Sequence, residues 1–329
     1  MTYPVNKLNC NITHFLNDVV SADILGSVQA GLNSQIELID DGGHITDIAS
    51  IASNPLSKST NIRLSMAYAQ FLWLLCDVAL KILDRNVIVS ECAKDGISLQ
   101  TFLKSTIQAR QMTESQIAPY LPPSAHVSYQ GYMSYLALVP QLLADDFWQK
   151  MEQEYAAAMS LMCPSTPVHA EYISNINISG PYEERTNSVY CYAIAFLLLH
   201  EQAHHALDHL SKVTDAQDEE NADMTAFWSI YADINDDRRI TANAAIMCAF
   251  FSFLVYDPEQ KLTSDHPTDY RRLFNVYDMI KDENPKYTQL LIGLLDFWAK
   301  TNSIPNYPLG LPYTEESVDK IKEFFNQNY

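Results

Sequence analysis

The chain has 329 residues, 47% of them hydrophobic, with 40 acidic against 21 basic side chains and a formal net charge of -19. The apolar share suffices for a core and excludes a disordered acidic tail, while the charge disfavours nucleic acid or an anionic membrane surface as a partner. Only 9 glycines occur, less than half the usual share of about 7%, and neither GxxxxGKS/T nor GxGxxG is present, which disfavours a turn-rich all-β fold and a phosphate-cradling loop.

The first residues, MTYPVNKLNCNITHF, contain no basic region followed by an apolar stretch, so no secretory signal is expected. The longest apolar runs, Val189 to Leu199 and Ala244 to Tyr256 (broken by Ser252), fall short of the roughly 20 residues a bilayer span needs. Cys10, Cys76, Cys92, Cys163, Cys191 and Cys248 are scattered, with no CxxC pair. They read as buried reduced thiols of a cytoplasmic protein.

In chain order, SQIELID (34–40) reads as a weak strand. Apolar residues at three- and four-residue spacing predict helices over 61–85 and 99–112. IAPYLPPS (117–124) is rich in proline and marks the expected boundary between a helical N-terminal region, 1–123, and a second region, 124–329. A helix over 145–162 follows, opening at Asp145-Asp146. VHAEYISNINI (168–178) alternates as a strand does. Helical patterns then cover 187–210, 217–235, 240–256, 267–282, 286–301 and 314–327, with SIPNYPLGLPY (303–313) as a surface loop. The expected fold class is mainly α with a small β-sheet. Trp73, Trp148, Trp228 and Trp298 all fall in helical patterns and read as core.

The chemistry concentrates between Ser188 and Tyr231. His200-Glu201-Gln202-Ala203-His204 matches HExxH. Four apart on a helix, His200 and His204 share a face and can bind one Zn²⁺. Glu201 lies about 100° round the helix, placed to touch a metal-bound water without ligating the metal, as a general base must be. The apolar run before the motif predicts a buried helix, although a helix that simply emerges into solvent would also end in such a polar cluster. A short loop follows, with Thr214 or Asp215 able to cap the next helix. That helix opens with Asp218-Glu219-Glu220-Asn221-Ala222-Asp223. Glu219 and Asp223 share a face there. Glu219 can supply a third ligand, with Glu220 as runner-up, and Asp223 can accept the Nδ1 proton of a ligating histidine. The plainer reading of these acids is that they favour a helix N-terminus.

HEQAH followed by EENAD resembles the gluzincin zinc metallopeptidases. The resemblance implies His200, His204 and Glu219 as ligands, Glu201 as catalytic base, and Asp223 as partner of a ligating histidine, with His200 favoured. It implies a zincin-like catalytic region at 124–329, with 168–178 as the edge strand that pairs with an extended substrate. The helical chain and the short gap between the motifs also resemble the Lit-like phage-exclusion peptidases and small intracellular gluzincins. The expected function is therefore zinc-dependent hydrolysis of peptide bonds in an intracellular protein or peptide, in a phage-defence or toxin-like setting. The alternative is a non-enzymatic helical interaction protein with a structural or degenerate zinc site. Other zinc classes fit worse: Leu207 and Leu210 stand where HExxHxxGxxH needs Gly and His, and HxxEH is not met because residue 208 is Asp. His205 and His209 are four apart and offer a second, weaker metal pair. Candidates to stabilise an oxyanion are Tyr231, Arg238, Arg239, Tyr256 and His266, the two arginines reading better as partners of Asp233, Asp236 and Asp237.

Overall fold

A computed structural model of the chain describes Leu8 and residues 37–39, 44–45, 48–54, 59–117, 129–162, 183–209, 215–231, 234, 236–256 and 268–329. The strand expected at 168–178 and most of the boundary stretch 117–124 lie outside these residues.

The fold is mainly helical with one small sheet. Strands β1 (Glu37–Ile39), β2 (Ala49–Asn54) and β3 (Ser59–Ser65) are ordered β1-β3-β2. β1 pairs parallel to β3, with Leu38 opposite Leu64. β2 pairs antiparallel to β3, with Ile51 opposite Ile62. The helix expected from residue 61 starts only at Met66, because Ile62 and Leu64 alternate with Arg63 in strand fashion. Ser65 then caps helix α1 (Met66–Lys94), its hydroxyl accepting from the Tyr68 amide at 2.9 Å.

α1 is buried from Ala67 to Asp84 apart from Lys81, and its last turns reach the surface. It is followed by α2 (Leu99–Ala109), the short α3 (Glu114–Ile117), α4 (Tyr129–Leu142) and α5 (Phe147–Met159). α4 was not legible as a helix, since Gly131 and Pro140 interrupt its pattern. Next come α6 (Glu183–Ala206), α7 (Ala216–Tyr231), α8 (Asp236–Tyr256), α9 (Asp269–Ile280), α10 (Lys286–Thr301) and α11 (Glu315–Asn328). One buried core runs from Ile45 to Phe325. In it α6 packs against α1, α7 and α8, and α9 packs on α8. The uninterrupted apolar runs are short. Taken as whole helices, however, α1 and Arg238–Tyr256 are long and apolar enough to cross a membrane, and both are largely buried within the chain.

Polar pins fix the start of α6 on α1. Arg185 donates to both carboxylate oxygens of Asp84 at 2.7 and 3.2 Å, and the Thr186 hydroxyl donates to Asp77 at 2.9 Å. The Trp73 indole donates to Asn187 at 2.9 Å. Beyond these contacts α6 is apolar on every side and runs buried to His200. Trp73 and Trp298 are core residues, whereas Trp228 is 52% exposed and corrects the expectation for it: its place on α7 faces solvent, with only an edge against Phe227 and Tyr231. Cys76, Cys92, Cys191 and Cys248 are buried free thiols.

Candidate metal centre

Two helices build the site. After its polar first turns α6 is apolar from Val189 to Leu199 and turns polar again in its last two turns, which carry the HEQAH residues. α7 opens with a reciprocal cap. The Asp215 carboxylate accepts from the amides of Gln217 and Asp218, both at 3.0 Å, and the Asp218 carboxylate accepts from the Asp215 amide at 3.3 Å. This cap fixes the first turn of α7, so that Glu219 and Asp223 face α6.

The structure brings His200, His204 and Glu219 together. The two Nε2 atoms lie 3.1 Å apart, and each lies 3.4 Å from a Glu219 carboxylate oxygen. All three side chains are buried. Among the described residues this is the one group of three or more His, Cys, Asp or Glu side chains whose donor atoms converge within 4.8 Å, and it could hold a metal ion. The spacing can be tested against a real ion. Tetrahedral coordination at about 2.0–2.1 Å per ligand keeps donor atoms about 3.3–3.4 Å apart, close to the separations found here.

Each histidine is held from behind. Asp223 Oδ1 lies 2.9 Å from His200 Nδ1. Arg272, from α9, donates to the two oxygens of Asp223 at 2.8 and 2.7 Å, and its Nη2 lies 3.8 Å from Glu219. On the other side His209 Nδ1 lies 3.0 Å from His204 Nδ1, and Asp218 Oδ1 lies 3.2 Å from His209 Nε2. His209 reaches this place because Asp208 adopts a left-handed conformation (φ 60°) just past α6 and turns the chain back. Neither Arg272 nor His209 was identified in this role from sequence. The second metal pair does not form: His205 is exposed, while His209 is buried against His204. Glu220 is half-buried beside the cluster rather than in it.

Electrostatics agree with a cation site. Burial alone would lower the His200 pKa, but its contacts with Asp223 and Glu219 outweigh burial and push it up to about 9. Burial would raise Asp223, yet Arg272 and His200 hold its carboxyl below the usual range. Asp218, Glu219 and Asp223 are three buried carboxylates, and Arg272 is the buried guanidinium among them. With both imidazoles neutral, as ligation requires, that set carries a charge of -2, the complement of a divalent cation; without an ion the raised His200 pKa lets a proton take part of that role.

Glu201 follows His200 on α6, is half-buried, and is not one of the converging donors. Of the oxyanion candidates, Tyr231 donates its hydroxyl proton to Glu283, and Arg239 sits over the Tyr231 ring at 4.7 Å. Arg238 is exposed and Tyr256 half-buried, while His266 and the side chains of Asp233, Asp236 and Asp237 lie outside the described residues.

Fold and site thus define a mainly helical protein with a helix-borne, buried His-His-Glu group able to hold a metal. A family model, Peptidase U49, matches residues 124–291, just over half of the chain. The chain belongs to the peptidase U49 family and is a peptidase, acting on protein or peptide substrates. No curated protein and no solved structure matches it.

Proposed function

We propose that this peptidase is zinc-dependent and of the gluzincin type, with His200, His204 and Glu219 holding the ion and Glu201 as general base. The observation that carries the reading is the convergence of three buried side chains: the two Nε2 atoms lie 3.1 Å apart, and each faces its own Glu219 oxygen at 3.4 Å, Oε2 for His200 and Oε1 for His204. When bound, Zn²⁺ would supply a Lewis acid that polarises the scissile carbonyl and makes water acidic enough to be deprotonated near neutral pH. The chain's own residues do the rest. Asp223, whose Oδ1 lies 2.9 Å from His200 Nδ1, is placed to take that proton and so leave the Nε2 lone pair free to ligate. Arg272 keeps Asp223 ionised and in place. Glu201 projects from the same helix about 100° from His200; its carboxylate takes a proton from the attacking water and passes it to the departing amine.

The test is Glu201→Gln. The purified variant should hold one zinc per chain, as the parent does, and should lose cleavage by several orders of magnitude. Parent-like cleavage by Glu201→Gln would sink the mechanism. One zinc per chain with no cleavage by the parent of any cellular protein would favour the non-enzymatic, zinc-binding reading. The helical chain and the short gap between HEQAH and EENAD, which resemble the Lit-like peptidases, extend the proposal to a cytoplasmic defence enzyme. Casein would then stay intact, while one protein of the host is cut on induction.

A further inference from the structure

His204 has an unusual neighbour. The second nitrogen of a metal-binding histidine ordinarily meets a carboxylate, a backbone carbonyl or water, and His200 follows that rule through Asp223. Behind His204 stands another imidazole, His209, which is itself buried and backed by the buried carboxylate of Asp218. We propose that His209 is a positioning residue of the site: it accepts the Nδ1 proton of His204, is held by Asp218, and so keeps the Nε2 lone pair of His204 directed at the metal. This rests on the reading of His204 as a ligand.

The order of protons follows from the groups present. An ionised carboxylate only accepts, so Asp218 takes a hydrogen bond from His209 Nε2. A neutral imidazole with its proton on Nε2 presents a lone pair at Nδ1. That lone pair faces His204 Nδ1 at 3.0 Å, which must therefore be the protonated nitrogen of His204, leaving Nε2 free. The spare oxygen of Asp218 accepts from the Asp215 amide in the α7 cap. Asp218 precedes Glu219 in the chain, so the same turn that presents the Glu219 carboxylate also sets the ring of His204. The His200 arm ends on the fixed cation Arg272, whereas the His204 arm ends on the start of α7.

The experiment uses the full chain, stripped of metal and titrated with Zn²⁺ against a chromophoric chelator and with Co²⁺ by visible absorption. His209→Phe fills the space without an acceptor, while His209→Asn keeps an oxygen near the Nδ1 position. His209→Phe should weaken zinc by about 10–100-fold and shift the cobalt bands, and His209→Asn should recover most of the affinity and the parent spectrum. Parent-like affinity and bands in His209→Phe would overturn the proposal, and so would equal loss in both variants, which would mark His209 as packing alone. If His209→Phe does not fold, Asp218→Asn decides by the same titration: weaker zinc supports the arm and unchanged affinity overturns it. A parent chain that takes up no metal, or whose metal is unaffected by His204→Ala, removes the site reading and the proposal together. One ion per parent chain with unaltered His209→Phe removes only the proposal.

Discussion

Arg272 grips Asp223 with two hydrogen bonds, Nε to Oδ2 at 2.8 Å and Nη2 to Oδ1 at 2.7 Å, and both residues are buried. The guanidinium also lies 5.3 and 5.0 Å from the ring centres of Phe250 and Phe253, so α8 fixes its plane. The arrangement therefore depends on a fork and a flat face, which lysine lacks. Arg272→Met should cost about 3–5 kcal/mol, because it leaves a buried carboxylate without its cation. Arg272→Lys keeps the charge and should cost less, yet should still weaken metal binding. Urea unfolding of the metal-free chain gives the first quantity and chelator competition the second. Equal stability in Arg272→Met and the parent would show that Asp223 does not rely on this pair.

Metal removal should register in stability. A ligand that binds only the folded chain stabilises it by about 4 kcal/mol at a thousand times its Kd. The parent should therefore melt several degrees lower after chelation and recover when zinc is returned. His204→Ala and Glu219→Gln remove donor atoms from the converging group, and their melting points should be insensitive to added zinc. A zinc-induced rise in both variants equal to the parent's would place the ion elsewhere.

The HEQAH spacing and the later glutamate could be read from sequence because helical periodicity is a local rule: residues four apart share a face whatever surrounds them. The rest of the site depends on chain reversals and on distant helices. Arg272 lies 49 positions beyond Asp223, on another helix, and nothing in its neighbourhood marks it. His209 is five positions after His204, off the shared face, and comes back only through the turn at Asp208. The fold divides in the same way. α1 and α6 were legible because long apolar segments stay helical in most contexts, although both begin elsewhere than the pattern suggested. β2 and β3 were missed because their stability comes from pairing with each other, and Ile62 and Leu64 merged into the apolar pattern of α1.

Gly293 marks a close approach of α10 to α1. A Cβ there would lie 2.6 Å from the Asn86 amide nitrogen and 3.1 Å from Ile82 Cγ2. Both neighbours sit on the buried α1, so neither has open space to enter. Gly293→Ala gains helix propensity of up to about 1 kcal/mol, but the overlap should outweigh it and leave a net loss of about 1–2 kcal/mol. Gly293→Ala combined with Asn86→Ala should regain part of the loss, since the amide is the first atom in the way. A stabilised Gly293→Ala in thermal melts would show that the two helices can separate at no cost.

Asp208 is the hinge on which the His204 arm depends. Its φ of 60° lies in the left-handed region, where glycine is unstrained, aspartate is tolerated and β-branched residues are outliers. Asp208 is also exposed, so its replacement adds no buried group. Asp208→Gly should fold with stability within about 1 kcal/mol of the parent and bind zinc as the parent does. Asp208→Val should cost about 1–2 kcal/mol. If His209 aims His204 as argued, Asp208→Val should also weaken zinc in the same direction as His209→Phe, because it opposes the turn that returns His209 to the site. Unfolding curves and chelator competition on the same two variants separate the effects. Loss of stability in Asp208→Val without loss of zinc affinity would mean that His209 can reach His204 by another backbone path.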